Sequence, residues 1–444
     1  MSSNPALATP DWRATQGRIV HIAWPVMLSN ITVPLLGLVD AAILGHLSEV
    51  HHLGAVAIGA QLFTLLCWSF SFLRMGTTAA SARTATPKDA LEALRNSLWL
   101  AIMLVIPVLI LALAVVIPLL IPLMGATALV EQGAHEYLSI RIWSVPATFA
   151  QYVILGWFIG QGKTKVPLLL MTVTNLVNAA LDYLLVYHCD MTSDGVALGS
   201  VVADYTSLAL GVWLIRWEGL PGLGHFPTWS KLSPLVQVNT DLFIRTTLLL
   251  AVLAFFHAQG AQQGNLILAA NSLMITLLLL IANALDGFAH AAESLIGQAL
   301  ARGQFESIRQ LMSLTGLNSL LIAVLLTLAF VGLNDQLWLW LSNNPELLTV
   351  MKDYQWYVFI LPLVGVGSFW VDGLCIGSGA TRVMRNVMIV SILAVFVPLW
   401  WFTQSLGNHG LWIAFLGLLI ARFVFSIGMV RDLIQNPVRY TPHT

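Results

Sequence analysis

A nine-residue stretch of this chain occurs twice. Residues 156–164 read GWFIGQGKT and residues 373–381 read GLCIGSGAT, each after an apolar run that carries a proline, Pro146 or Pro362. The same shift of about 216 residues brings ATPKDALEALRNS, near residue 85, onto ALARGQFESIRQLMS, near residue 300, and Asp194-Gly-Val close to His409-Gly-Leu. With 444 residues in all, two tandem halves account for nearly the whole chain. Both halves are strings of long apolar segments, and duplication of a membrane bundle is a recurrent way of building alternating access.

Composition supports the membrane reading independently. Hydrophobic residues make up 58% and charged residues 9%, against roughly 45–50% and 25% in soluble domains. An apolar run of about 20 residues spans a hydrocarbon core about 30 Å thick. Twelve such runs are present, at 19–44, 55–81, 96–121, 137–160, 166–187, 195–215, 236–260, 265–298, 308–333, 350–377, 386–406 and 410–430. The expected fold is therefore an all-α membrane protein of twelve transmembrane helices in two pseudo-symmetric six-helix lobes. The lobes are expected at 1–217 and 236–444, joined by a cytoplasmic linker at 218–235 that is rich in glycine and proline. Six spans per half make the repeats parallel.

Charge in the connections orients the bundle. Arg13 and Arg18 precede the first span, and Arg83, Lys88, Arg95, Lys163, Lys165, Arg216, Lys231, Arg302, Arg309, Arg382, Arg385, Arg431 and Arg439 flank the even-numbered loops or the tail. The odd-numbered loops offer only Lys352. This bias puts both termini and the even-numbered loops in the cytoplasm; the membrane expected is the inner, cytoplasmic one. The start of the chain has no signal-peptide h-region, so the first span is expected to be retained. Thr86 and Pro87 read as the cap and first residue of a helix. Neither Gly-x-Gly turn follows a strand, so no phosphate loop and no nucleotide site is expected.

Ionisable groups within spans are costly, about 2.5–3.5 kcal/mol for a mid-bilayer acid, and by default functional. Asp40, Asp182, Asp204, Asp286, Glu293 and Asp372 qualify. Asp40 and Asp182 lie near the outer ends of the first and fifth spans, and Ser200 in the sixth reaches the same depth. Asn175, Asn178 and Asp182 share one face of their helix by spacing. Carboxylates in such a pocket can bind one proton or accept a sodium ion; otherwise these groups serve only to hydrogen-bond neighbouring helices. Asp204, a turn from Ser200, extends the polar network. In the first span, Pro25 and Pro34 predispose the helix to bend, either as a moving hinge or as a static kink. In the second and eighth spans, Arg74 aligns with His290, and Asp286 and Glu293 lie on one face. They either line a substrate cleft or close the bundle as ion pairs, and Asp372 in the tenth span is expected to line the cleft with them. Arg141, Arg245 and Arg422, near span ends, are expected to snorkel.

The chain resembles the multidrug and toxic compound extrusion (MATE) transporters, in the branch of the DNA-damage-inducible protein F. The resemblance is carried by WPVMLSNITVPLLGLVDAAILGHL, GWFIGQGKT, NLVNAALDYLL, LDGFAHAAESLIGQALARG, VDGLCIGSGATRVMRN and the final GLWIAF. It implies twelve helices in two lobes and export of cationic or amphiphilic compounds driven by proton or sodium entry. It further implies an N-lobe cation site at Asp40, Asn178 and Asp182, with Ser200 nearby and Pro25 at the bending proline, and no enzymatic chemistry. No cofactor is expected beyond H+ or Na+ as coupling ion. Small organic substrates and the lipid bilayer are the expected partners, nucleic acid is not, and the chain is expected to act as a monomer. Some relatives pair a seventh-span glutamate with a tenth-span aspartate as a sodium site. Here the seventh span has no deep acid to partner Asp372, and the repeat counterparts of Asp40 and Asp182 are Phe256 and Leu399. These departures favour N-lobe coupling and protons over sodium. A lipid or lipid-linked precursor flippase of the same superfamily is the alternative; it would need a more cationic cavity, and Arg74 is the only deep candidate.

Overall fold

In the computed structural model the described residues are mostly helical, and no strand occurs among them. The structure describes residues 12–45 (side chains only to residue 30), 51–219, 222, 224–342 and 344–441. Among the described residues twelve helices follow in order. They are α1 (Trp12–Gly45), α2 (His51–Ala82), α3 (Pro87–Leu123), α4 (Ala128–Gly160), α5 (Lys165–His188), α6 (Ser193–Arg216), α7 (Trp229–Gln262), α8 (Asn265–Ala301), α9 (Phe305–Leu341), α10 (Pro345–Ser378), α11 (Thr381–Leu406) and α12 (Asn408–Gln435). Each expected span lies within one of them, in register with the sequence reading. Eleven of the helices, α2 to α12, are long and apolar enough to cross a membrane.

Local chemistry sets the ends. Thr86 caps α3 by the expected mechanism: its hydroxyl accepts from the Asp89 N–H at 3.2 Å while the Asp89 carboxylate accepts from the Thr86 N–H, with Pro87 in the first turn. Asn344 caps α10 by accepting from the Glu346 N–H at 3.0 Å. Isoleucines and leucines such as Ile106, Leu317, Leu328 and Leu393 are more than 60% exposed, an arrangement that only a hydrocarbon surround favours.

The chain divides into two compact units, residues 28–246 and residues 1–27 with 247–444. The first holds α2 to α6 with the later part of α1 and the start of α7. The second holds α8 to α12 with the start of α1 and the end of α7. Inside each unit the duplicated motif does the same two jobs. Gly156 and Gly160 in α4 lie against the Arg74 and Thr78 carbonyls of α2, and Gly373 and Gly377 in α10 lie against the Ala289 and Glu293 carbonyls of α8; a methyl group at any of the four would overlap that backbone. The small-xxx-small spacing thus packs the fourth helix of each repeat directly on the second. The third glycine of each motif, Gly162 or Gly379, adopts φ 74°. That left-handed residue lets the following N–H turn back, Lys163 to the Phe158 carbonyl (2.9 Å) and Ala380 to that of Cys375 (2.8 Å).

These contacts also correct one alignment. Arg74 is matched by Ala289 and Thr78 by Glu293, so Arg74 is offset by one residue from His290, its expected counterpart.

Candidate functional site

The carboxylate of Asp182 in α5 is fully buried, and Asn178, one turn earlier, is 1% exposed. The Asn178 amide nitrogen donates to Asp182 Oδ1 at 3.4 Å and to Ser200 Oγ, on α6, at 3.0 Å. The groove that admits the acid is made by Gly199: a Cβ at that position would overlap Asp182 Oδ1. Sequence reasoning found Asn178, Asp182 and Ser200 from depth and helical spacing, and the structure brings these three together. It did not find Gly199, which makes room for the carboxylate.

The other unit repeats the groove with different contents. Leu399, in α11, lies against Gly417 of α12 as Asp182 lies against Gly199. Phe256, the counterpart of Asp40, is fully buried beside Trp412, with ring centroids 4.9 Å apart. The same backbone geometry therefore frames a carboxylate in one repeat and a leucine with an aromatic cluster in the other. Asp40 and Pro34 fall on the helical backbone of α1, but their side chains lie outside the described residues. Pro25, also in α1, is buried.

Asp204, one turn beyond Ser200, is held by Arg141: Nη1 donates to Oδ2 at 2.6 Å, and the same nitrogen reaches Ser144 Oγ. The guanidinium also stands over Phe63, 4.1 Å from the ring centroid. In the other unit Arg422 donates to Asp372 Oδ2 at 2.5 Å. The snorkelling expected of Arg141, Arg245 and Arg422 is thus corrected, since Arg245 and Arg422 are 7% and 4% exposed and Arg141 and Arg422 are paired. An acid on a neighbouring helix removes the reason to reach for the interface.

On α8, His290 Nδ1 and Glu293 Oε2 are 2.8 Å apart and both residues are buried, while Asp286 and, on α2, Arg74 are half-buried. A further buried polar cluster, not read from the sequence, joins α8 to α12. Asn271 and Asn408 exchange two amide hydrogen bonds at 2.7 and 3.0 Å, and Trp412 Nε1 donates to Asn271 Oδ1 at 3.1 Å.

The MatE family model matches this chain twice, over residues 25–184 and 244–402, once in each repeat. The chain belongs to the MatE family. It is 33% identical to the DNA damage-inducible protein F of Escherichia coli, over 89% of this chain and 87% of that protein. Multidrug and toxin extrusion protein 1 of Oryctolagus cuniculus is 22% identical over 96% of this chain and 77% of its own length. Among solved structures, the Vibrio cholerae MATE transporter VcmN in the bent form superposes with a TM-score of 0.85 at 18% identity, covering 97% of this chain and 99% of that one. As a MatE protein the chain is a multi-pass membrane transporter and not an enzyme.

Proposed function

We propose that this transporter is a secondary active antiporter that exports cationic or amphiphilic organic compounds in exchange for protons, through the buried carboxylate site of residues 28–246. The observation that carries this reading is Asp182 itself: an acid sunk into a glycine groove, held by an amide that is also tied to Ser200. A carboxylate so placed changes charge by taking up one proton, and its amide partner can turn to suit either form. Asp40, nearer the end of α1, is assigned as the second carboxylate of the site. Pro25 is assigned as the point where α1 bends when the site changes charge, since a proline removes a backbone donor and crowds the preceding turn. Asp204 is engaged by Arg141 and stands beside the network, one turn from Ser200. Half-buried Asp286 and Arg74 are assigned to the substrate-contacting surfaces of their own units.

The donor set of carboxylate, amide carbonyl and hydroxyl at Asp182, Asn178 and Ser200, with Asp40, also suits a sodium ion, since hard cations take oxygen ligands. The distribution of Lys and Arg supports cytoplasmic termini, and we assign the inner membrane as the location and the monomer as the working unit.

Dye efflux from proteoliposomes, under an imposed pH gradient or an imposed sodium gradient one at a time, tests the reading. A pH gradient should drive export and a sodium gradient should not. Asp182→Asn and Asp40→Asn should each abolish driven export while leaving the protein folded. Efflux driven by sodium alone would overturn the choice of ion. Undiminished pH-driven efflux in both variants would overturn the site, and lipid translocation without dye efflux would favour the flippase alternative.

A further inference from the structure

Glu293 and His290 lie one turn apart on α8, 1% and 6% exposed, and bond to each other through Oε2 and Nδ1 at 2.8 Å. Glu293 Oε1 and His290 Nε2 are buried too, and neither has a hydrogen-bond partner among the described residues. An unmatched buried polar atom costs about 1–3 kcal/mol, more when charged. Two in one pair call for a physical reason, and a functional role is one such reason. Packing does not require them. Thr78, which occupies the place of Glu293 in the other repeat, makes the same backbone contact with a glycine, and its buried hydroxyl is satisfied by the Arg74 carbonyl at 2.9 Å. The second helix of a repeat can therefore pack on the fourth with no acid there.

We infer that His290 and Glu293 form a second proton-binding site, in the unit where the Asp182 position holds a leucine. With Glu293 ionised and His290 neutral, Nδ1–H donates to Oε2 and the pair carries one negative charge. A proton accepted at Nε2, or at Oε1, makes the pair neutral overall and forms no other bond. The two forms differ by a full charge in a region of low dielectric, so the pair responds strongly to any other charge entering that interior. Each unit then owns one proton-exchanging group, on the fifth helix of the first repeat and the second helix of the other.

The neighbouring elements carry other ionisable groups. On α8, Asp286 precedes His290 by one turn. On α10, packed backbone to backbone at Glu293, are Cys375 and Asp372, the latter paired with Arg422 of α12. The first part of α1, whose Ala23 carbonyl and Met27 touch α8 at Gly287, carries His21 and Arg18. The start of α9 carries Glu306 and Arg309, and the C-terminal turn carries Arg439 and Tyr440. Among the described residues none of these bonds to His290 or Glu293, so the exchanged proton belongs to the pair.

The test is pH-difference infrared spectroscopy of the purified full-length protein in detergent, combined with nuclear magnetic resonance of ring-labelled histidine. A carboxyl band that responds to pH should vanish in Glu293→Gln and survive in Asp182→Asn. The His290 ring signal, assigned by its loss in His290→Gln, should change protonation or tautomer between about pH 5 and about pH 9, and His290→Gln should shift the midpoint of the Glu293 band. A Glu293 band unaltered by pH, together with a His290 ring that keeps one form, would overturn the inference. Where Glu293→Gln does not fold, the ring signal in the native protein decides alone. The inference rests on the antiporter reading only for its use in transport; these spectra are taken without a gradient, so either can fail while the other stands.

Discussion

At Asp182 the decisive neighbour is a hydrogen atom, the side chain of Gly199. An alanine there would force the carboxylate away from α6 and off the amide of Asn178. Overpacking of this kind costs about 1–3 kcal/mol, and at this position the strain falls on the carboxylate proposed to exchange the ion. A Cβ at the matching glycine of the other repeat, Gly417, would overlap the flexible end of Leu399, which can turn aside, and would make an ordinary contact with Val395. Gly199→Ala should therefore remove gradient-driven efflux, and Gly417→Ala should leave it within about twofold of native, a change of under about 0.5 kcal/mol. Efflux assays on the two variants, reconstituted at equal amounts, check this; equal losses would mean that the grooves matter only for packing.

Among elements, the fourth and sixth helices of each repeat are joined by a largely buried ion pair, but with the signs exchanged. Arg141 of α4 holds Asp204 of α6, whereas Asp372 of α10 is held by Arg422 of α12. Removing one partner leaves a buried charge without compensation, at about 3–5 kcal/mol, while replacing both with apolar residues can be neutral or better. Asp204→Asn should thus lower the thermal stability of the detergent-solubilised protein markedly, and Arg141→Met with Asp204→Leu should recover most of it, as read by fluorescence-monitored melting. A double replacement no more stable than the single one would show that the pair contributes more than its charges. Helix positions were legible in the sequence because a run of apolar residues states its own length, and Asp182 was legible because Asn178 shares its helical face. The arginine partners were not. Arg141 and Asp204 are 63 residues apart in the chain and Arg422 and Asp372 are 50, and nothing local to an arginine near a span end separates a buried partner from a route to the interface. Gly199 was hidden for a related reason: a glycine in a small-residue helix acquires meaning only when the neighbouring helix is in place.

For the whole molecule, duplication followed by divergence leaves two units with the same packing and different charge, and this has a consequence for energetics. If only the Asp182 site exchanges a proton, export of a monovalent cation against one proton moves no net charge. With the His290–Glu293 pair turning over in the same cycle, two protons enter for each cation exported, and one net charge crosses. Each elementary charge is worth about 2.3 kcal/mol per 100 mV, equivalent to about a fifty-fold difference in the attainable substrate gradient. Export of a monovalent cationic dye by the native protein should therefore be accelerated by an inside-negative membrane potential set with potassium and valinomycin at equal pH on both sides, in vesicles where protons enter toward the negative side. Glu293→Gln should lose that response while keeping its dependence on an imposed pH gradient, and Asp182→Asn should lose both. A Glu293→Gln protein as sensitive to potential as the native one would confine charge movement to the first unit.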